Sequence, residues 1–308
     1  MAEIGRLLTA MVTPFDDRGE VDYGQARRLA QALLDSGSDG VVVSGTTGEA
    51  PTLTHDEKLK LFDAVRRAVP KPGAVIAGTG SNDTAASIEL SREADGLGVD
   101  ALLLTCPYYS KPTQQGIIRH FKAIAAATRL PCILYNIPGR TAVNMAAETT
   151  LHLSRVPNIV GIKEASGDLA QIATIVESAD EGFLVWSGDD AMTLPILSVG
   201  GYGVIAVVSH LTGAQMHAMI DDYLAGRTAE AARTHRALLP LMRTLMTAGA
   251  SPGPLKYALN QIGFPVGAPR LPLVEPEGEA AERIMAEVRR HHIDLAVTQE
   301  VPRCAFPS

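Results

Sequence analysis

Short runs of apolar, largely β-branched residues recur along the chain at residues 7–15, 40–44, 74–78, 101–105, 132–135, 159–163, 183–186 and 204–208. Most are continuously apolar rather than alternating, which is the pattern of parallel strands covered on both faces. The segments between them carry helix-start signals. Thr54, His55, Asp56 and Glu57 have the spacing of a capping box, in which the hydroxyl and the carboxylate each satisfy an orphan backbone N–H. Asp22, Asn82, Thr113, Asn144, Asp168 and Asp190 stand where N-caps are expected. Repeated strand–helix alternation implies right-handed crossovers, and eight units favour a closed (β/α)8 TIM barrel in the α/β class. An open doubly wound sheet is the alternative. Its dinucleotide-binding form wants Gly-x-Gly-x-x-Gly directly after a strand, and the sequence has no such run.

Beyond residue 223 the strand pattern stops, and 228–247, 254–262 and 277–292 read as helices. The expected organisation is a barrel catalytic domain over 1–223 and a small C-terminal helical domain over 224–295. A loosely ordered tail is expected over 296–308. Barrels of 308 residues form single units, and 46% hydrophobic with 20% charged residues supplies an ample core. A net charge of −7 with no basic run speaks against nucleic acid or an anionic membrane as partner. Cys106, Cys132 and Cys304 have no metal-ligand spacing, and two lie in apolar runs that suit reduced, buried thiols. The apolar stretch near the N-terminus breaks at Pro14 and Asp16 and lacks a basic start, so it reads as a strand rather than a leader. No run is long enough to cross a bilayer, and the expected location is the cytoplasm.

Barrel chemistry is carried by the C-terminal ends of the strands and the loops that follow. Of the seven lysines, only Lys163 follows directly on a strand run. Period-two alternation places it on one face with Ile159 and Gly161. If that face lines the barrel, desolvation lowers the amine's pKa and makes it a carbonyl nucleophile. Pairing with Glu164 at the rim is the competing reading. Tyr135 ends the neighbouring strand, where its phenol either shuttles protons or packs its ring. Gly45-Thr46-Thr47-Gly48 is a tight turn with hydroxyls and backbone N–H groups suited to a carboxylate. Arg140, after a Pro-Gly turn, either forks onto a second carboxylate or stays solvated. No Walker loop, HExxH or Cys-x-x-Cys is present. Asp189 and Asp190 fit a helix N-cap better than a metal site, and they disfavour a phosphate there. His291 and His292 read as the surface of a polar helix.

The stretches GTTGEAPTLTHDEK, PYYSKPTQQG, YNIPGRTAVN, GIKEASGD and SGDDAMTLP, in that order, resemble the pyruvate-dependent class I aldolases of the N-acetylneuraminate lyase family. The match runs from about residue 5 to residue 272. The resemblance implies that Lys163 forms an imine with pyruvate, served by a proton relay of Tyr135, Thr46 and Tyr109. Tyr109 would reach into a neighbouring subunit's site. Thr47 would hold the pyruvate carboxylate, with backbone from Gly188 and Ile205 nearby. Arg140, within GRT, implies a second substrate that offers a carboxylate, L-aspartate 4-semialdehyde, on the diaminopimelate route to lysine. The alternative branch comprises aldolases or dehydratases acting on sugar-derived 2-oxo acids. Ser251-Pro-Gly-Pro-Leu-Lys256 and Pro269-Arg-Leu-Pro272 agree with the first branch, although serine stands where asparagine is commoner. The family uses no metal or organic cofactor, and its members are usually homotetramers built as dimers of dimers. A histidine and a glutamate of the family's lysine-inhibition site align with Lys58 and Ala86, which implies weak or absent inhibition by lysine.

Overall fold

A computed structural model describes residues 4–296. Its parallel strands pair in chain order and close on themselves. They are β1 (Leu7–Ala10), β2 (Gly40–Val43), β3 (Ala74–Gly78), β4 (Ala101–Thr105), β5 (Cys132–Asn136), β6 (Ile159–Glu164), β7 (Leu184–Ser187) and β8 (Gly203–Ala206). The helices are α1 (Tyr23–Asp35), α2 (His55–Ala68), α3 (Thr84–Gly96), α4 (Gln114–Ala125), α5 (Pro138–Thr141) and α6 (Ala147–Ser154). They continue as α7 (Leu169–Ser178), α8 (Thr193–Ser198), α9 (Ser209–Leu224), α10 (Thr228–Thr247), α11 (Gly253–Gln261) and α12 (Gly278–Val288). The expected TIM barrel is therefore the observed fold.

Continuous apolar runs follow from this closure, because both faces of each strand are buried. Leu8, Val42, Ile76, Leu103, Ile133 and Trp186 fill the barrel interior. The opposite faces meet the helices in a larger core that includes Val41, Phe62, Leu102 and Phe121. Leu238, Leu241 and Ile284 carry that core on into α10 and α12.

Element ends differ from the sequence reading in instructive places. β1 stops at Ala10 rather than running to Phe15. Met11 N donates one more rung to Val42 O, and Pro14 then has no N–H to offer. β5 and β6 each gain a residue, because the register partners Asn136 and Glu164 hydrogen-bond across the strands. Asp22, Thr113 and Asp168 cap helices as expected, and Thr54 and Glu57 form both halves of the capping box. Asp83 caps α3 in place of Asn82. Asn144 caps nothing, since its side chain is bonded to Asn136 and Gln171. Asp189 caps a short 3-10 turn, and Asp190 turns inward. α12 ends at Val288. His291, expected on its exposed surface, instead lies largely covered with Nε2 2.9 Å from Glu287 Oε1.

Cys106 and Cys132 are buried free thiols, whereas Cys304 and the expected tail beyond residue 296 lie outside the described residues. Among the described residues no helix is long and apolar enough to cross a membrane. Nor does any group of three or more His, Cys, Asp or Glu among them have the placement to hold a metal ion.

Candidate active site

Register brings the site together. Thr105 pairs with Tyr135, Tyr135 with Lys163, and Lys163 with Trp186, so four adjacent strands set these side chains at one level of the barrel. Lys163 Nζ lies 4.3 Å from the centre of the Tyr135 ring. Two positions along β6, glycine makes room beneath. A Cβ on Gly161 would come within 2.7 Å of Trp186 Cζ3. The buried indole that uses this space donates its Nε1–H to Gly5 O at 3.0 Å. Lys163 thus stands on an apolar floor and is only 5% exposed. Burial pushes its amine down to about 8, with the Asp190 carboxylate opposing and the Arg140 guanidinium assisting. Pairing with Glu164 does not occur. Alternation turns Glu164 to the outer face, where Asn136 Nδ2, Ser166 N and Gln171 Nε2 donate to it.

Around the amine the other candidates take distinct places. Burial pushes the Tyr135 phenol up to about 12, so it stays protonated, with the Thr46 side chain as its hydrogen-bonding neighbour. Thr46 and Thr47 sit in a turn closed by Glu49 N donating to Thr46 O at 3.1 Å. Thr47 is buried. Arg140, in the single-turn α5, lines a cavity of about 350 Å³ together with Thr46, Thr105, Tyr108 and Lys58. Gly188 leaves the space beside the lysine, because a Cβ there would lie 3.1 Å from Lys163 Cγ and 2.8 Å from Ala165 Cβ. Ile205 is buried on the barrel's inner face. Tyr109 stands apart. It is 89% exposed, with φ of +70°, on the loop after β4.

Three residues take roles that the sequence reading did not assign to them. Thr105 joins the Tyr135–Lys163 row, as its place at a strand end foretells. Asp190, read as a cap, accepts from Val207 N and Val208 N at 3.0 and 2.7 Å and so fixes the loop after β8 beside the amine. Lys256 is as buried as Lys163, with Nζ 3.0 Å from Glu49 Oε1, and no local pattern marks it.

The model of the dihydrodipicolinate synthetase family matches residues 3–291. A 4-hydroxy-tetrahydrodipicolinate synthase of Dehalococcoides mccartyi (strain CBDB1) is 54% identical over 297 residues, covering 96% of this chain and 100% of that protein. The crystal structure of dihydrodipicolinate synthase from Bacillus anthracis has a TM-score of 0.92 at 44% identity, covering 94% of this chain and 99% of that one. The enzyme from Cyanidioschyzon merolae, solved with lysine bound, has a TM-score of 0.91 at 47% identity, covering 93% and 97%. A buried strand-six lysine beside a tyrosine, and likeness of this degree over nearly the whole length, lead to one conclusion: the chain belongs to the dihydrodipicolinate synthetase family.

Proposed function

We propose that this chain is a lyase-type synthase that condenses pyruvate with L-aspartate 4-semialdehyde to 4-hydroxy-tetrahydrodipicolinate, on the diaminopimelate route to lysine. The observation that carries the reading is Lys163, buried without a carboxylate partner on its own face and level with the Tyr135 phenol. Its neutral amine adds to the C2 carbonyl of pyruvate, the carbonyl oxygen leaves as water, and an imine remains. Loss of a proton from the pyruvate methyl gives an enamine, whose carbon attacks the aldehyde carbon of the second substrate. The aldehyde oxygen becomes a hydroxyl. The amine of the semialdehyde unit then displaces Lys163 from the imine carbon, which closes the ring and frees the lysine.

In this reading Tyr135 donates and recovers protons through Thr46, and its high pKa keeps it in the donating form. Tyr109 completes the relay from a neighbouring subunit, which its exposure on a positive-φ loop supports. Thr47 binds the pyruvate carboxylate, with Gly188 and Ile205 beside it. Arg140, at the cavity mouth, grips the semialdehyde carboxylate. The assembly is a homotetramer built as a dimer of dimers, working in the cytoplasm. Residues 1–223 form its catalytic domain and 224–295 a helical one. No metal or organic cofactor enters these steps.

Borohydride reduction in the presence of pyruvate should attach a pyruvate-derived mass to Lys163. Lys163→Ala should lose that adduct and all turnover while keeping its circular dichroism. Wild-type enzyme should turn over pyruvate with the semialdehyde and leave sugar-derived 2-oxo acids uncleaved. An unmodified Lys163, or faster sugar-acid cleavage, would sink the reading.

A further inference from the structure

The turn that carries Thr46 and Thr47 is held from below by parts of the chain far away in sequence. Glu49, its last residue, has φ of +56°, a strained left-handed conformation for a residue with a side chain. Its carboxylate is wholly buried. Oε1 accepts from Lys256 Nζ at 3.0 Å, and Oε2 accepts from Arg270 N at 2.9 Å. The Lys256 ammonium spends its other donors on Thr13 O at 3.0 Å and Ala268 O at 3.1 Å. Its Nζ also lies 4.1 Å from the centre of the Phe15 ring. Thr13 in turn donates its hydroxyl to Gly48 O at 2.6 Å, one residue before Glu49.

A buried ion pair is a costly way to join a helix to a barrel, since apolar side chains of like volume serve stability as well or better. What the pair adds is direction. Three donors on one ammonium meet acceptors from three chain segments, and this fixes where the turn sits. We propose that Glu49 and Lys256 are positioning residues, a bolt from α11 that sets the Thr46–Thr47 turn against Lys163 and Tyr135. The inference rests on the reading of Lys163 given above. It makes α11 a working part of the pyruvate half of the site, while Arg140, carried by α5, grips the other substrate.

That division gives the test. Wild-type enzyme trapped with pyruvate and borohydride first establishes the Lys163 imine, so that a failure there is a failure of the functional reading alone. Lys256→Met, Glu49→Gln and their double variant are then compared by steady-state kinetics and by the rate of imine trapping. Each single variant should lose at least about tenfold in kcat and in trapping rate, since small misplacements remote from the chemistry are costly. kcat/KM for pyruvate should fall by a like factor, while kcat/KM for the semialdehyde stays within about twofold. The double variant should be no worse than the poorer single one, because the two residues act as a unit. Glu49→Asp keeps the charge pair but draws the turn back. It should give the same pattern even if Lys256→Met fails to fold. Folded variants with wild-type kcat, or with both kcat/KM values lowered alike, would overturn the proposal.

Discussion

A lysine amine in water is almost wholly protonated at neutral pH, and Lys163 holds a far larger neutral fraction because apolar burial outweighs the one carboxylate near it. With its pKa near 8, the ammonium predominates below that value. Imine formation then falls about tenfold per pH unit and levels off above it. Asp190 favours the ammonium, so Asp190→Asn should move the inflection to lower pH. Arg140 disfavours it, so Arg140→Ala should move the inflection to higher pH. Quenched borohydride trapping across the pH range measures both, and shifts in the same direction would contradict the electrostatic account. Lys58 is half-buried at the rim of the Arg140 cavity, and Ala86 offers no acid to a lysine ligand. Since the resemblance sets a lysine-inhibition site on these two positions, inhibition by free lysine should be weak or absent, and half-inhibition at sub-millimolar lysine would refute this. Lys163 was legible from sequence because it alone among the lysines ends a strand run. Lys256 was not, because a lysine in a helix reads as solvated and its partner lies 207 residues away.

At the scale of the element, the apolar runs located each strand but not its last residue. Asn136 and Glu164 are polar, so the pattern ended before them, yet each belongs to its strand because the other is there to meet it. Glu164 remains fully buried, and burial raises its pKa against the hydrogen bonds that lower it. Asn136→Ala removes the largest of those opposing bonds. The expected loss is about 2–3 kcal/mol in urea unfolding near neutral pH, the cost of under-satisfying a buried charged acceptor. A carboxyl whose folded pKa is raised costs stability above that pKa and little below it. The variant's deficit should accordingly shrink as the pH falls through the Glu164 titration. A deficit independent of pH would assign the effect to packing. The displaced caps have the same origin: Asn144 serves the Asn136 network instead of its own helix, a contact invisible to a local motif.

At the scale of the molecule, counting strand–helix units was enough to predict barrel closure. The row of Thr105, Tyr135 and Lys163 then follows from register alone. What one chain leaves unused is Tyr109, a large side chain held out to solvent in a left-handed conformation. Tyr109→Ala should lower kcat strongly and shift the sedimentation profile towards smaller species. Retention of both would remove this residue from the proposed relay and from the proposed subunit interface. The barrel's floor carries one more consequence. Trp186 is the chain's single tryptophan, its indole sealed from water on the floor beneath the Lys163 amine. The protein thus contains its own optical reporter. Its emission should be that of a dry indole, and exchanging the adjacent amine for an imine should change its quantum yield. Titration with pyruvate alone should give a saturable fluorescence change that tracks imine occupancy in real time and is absent from Lys163→Ala.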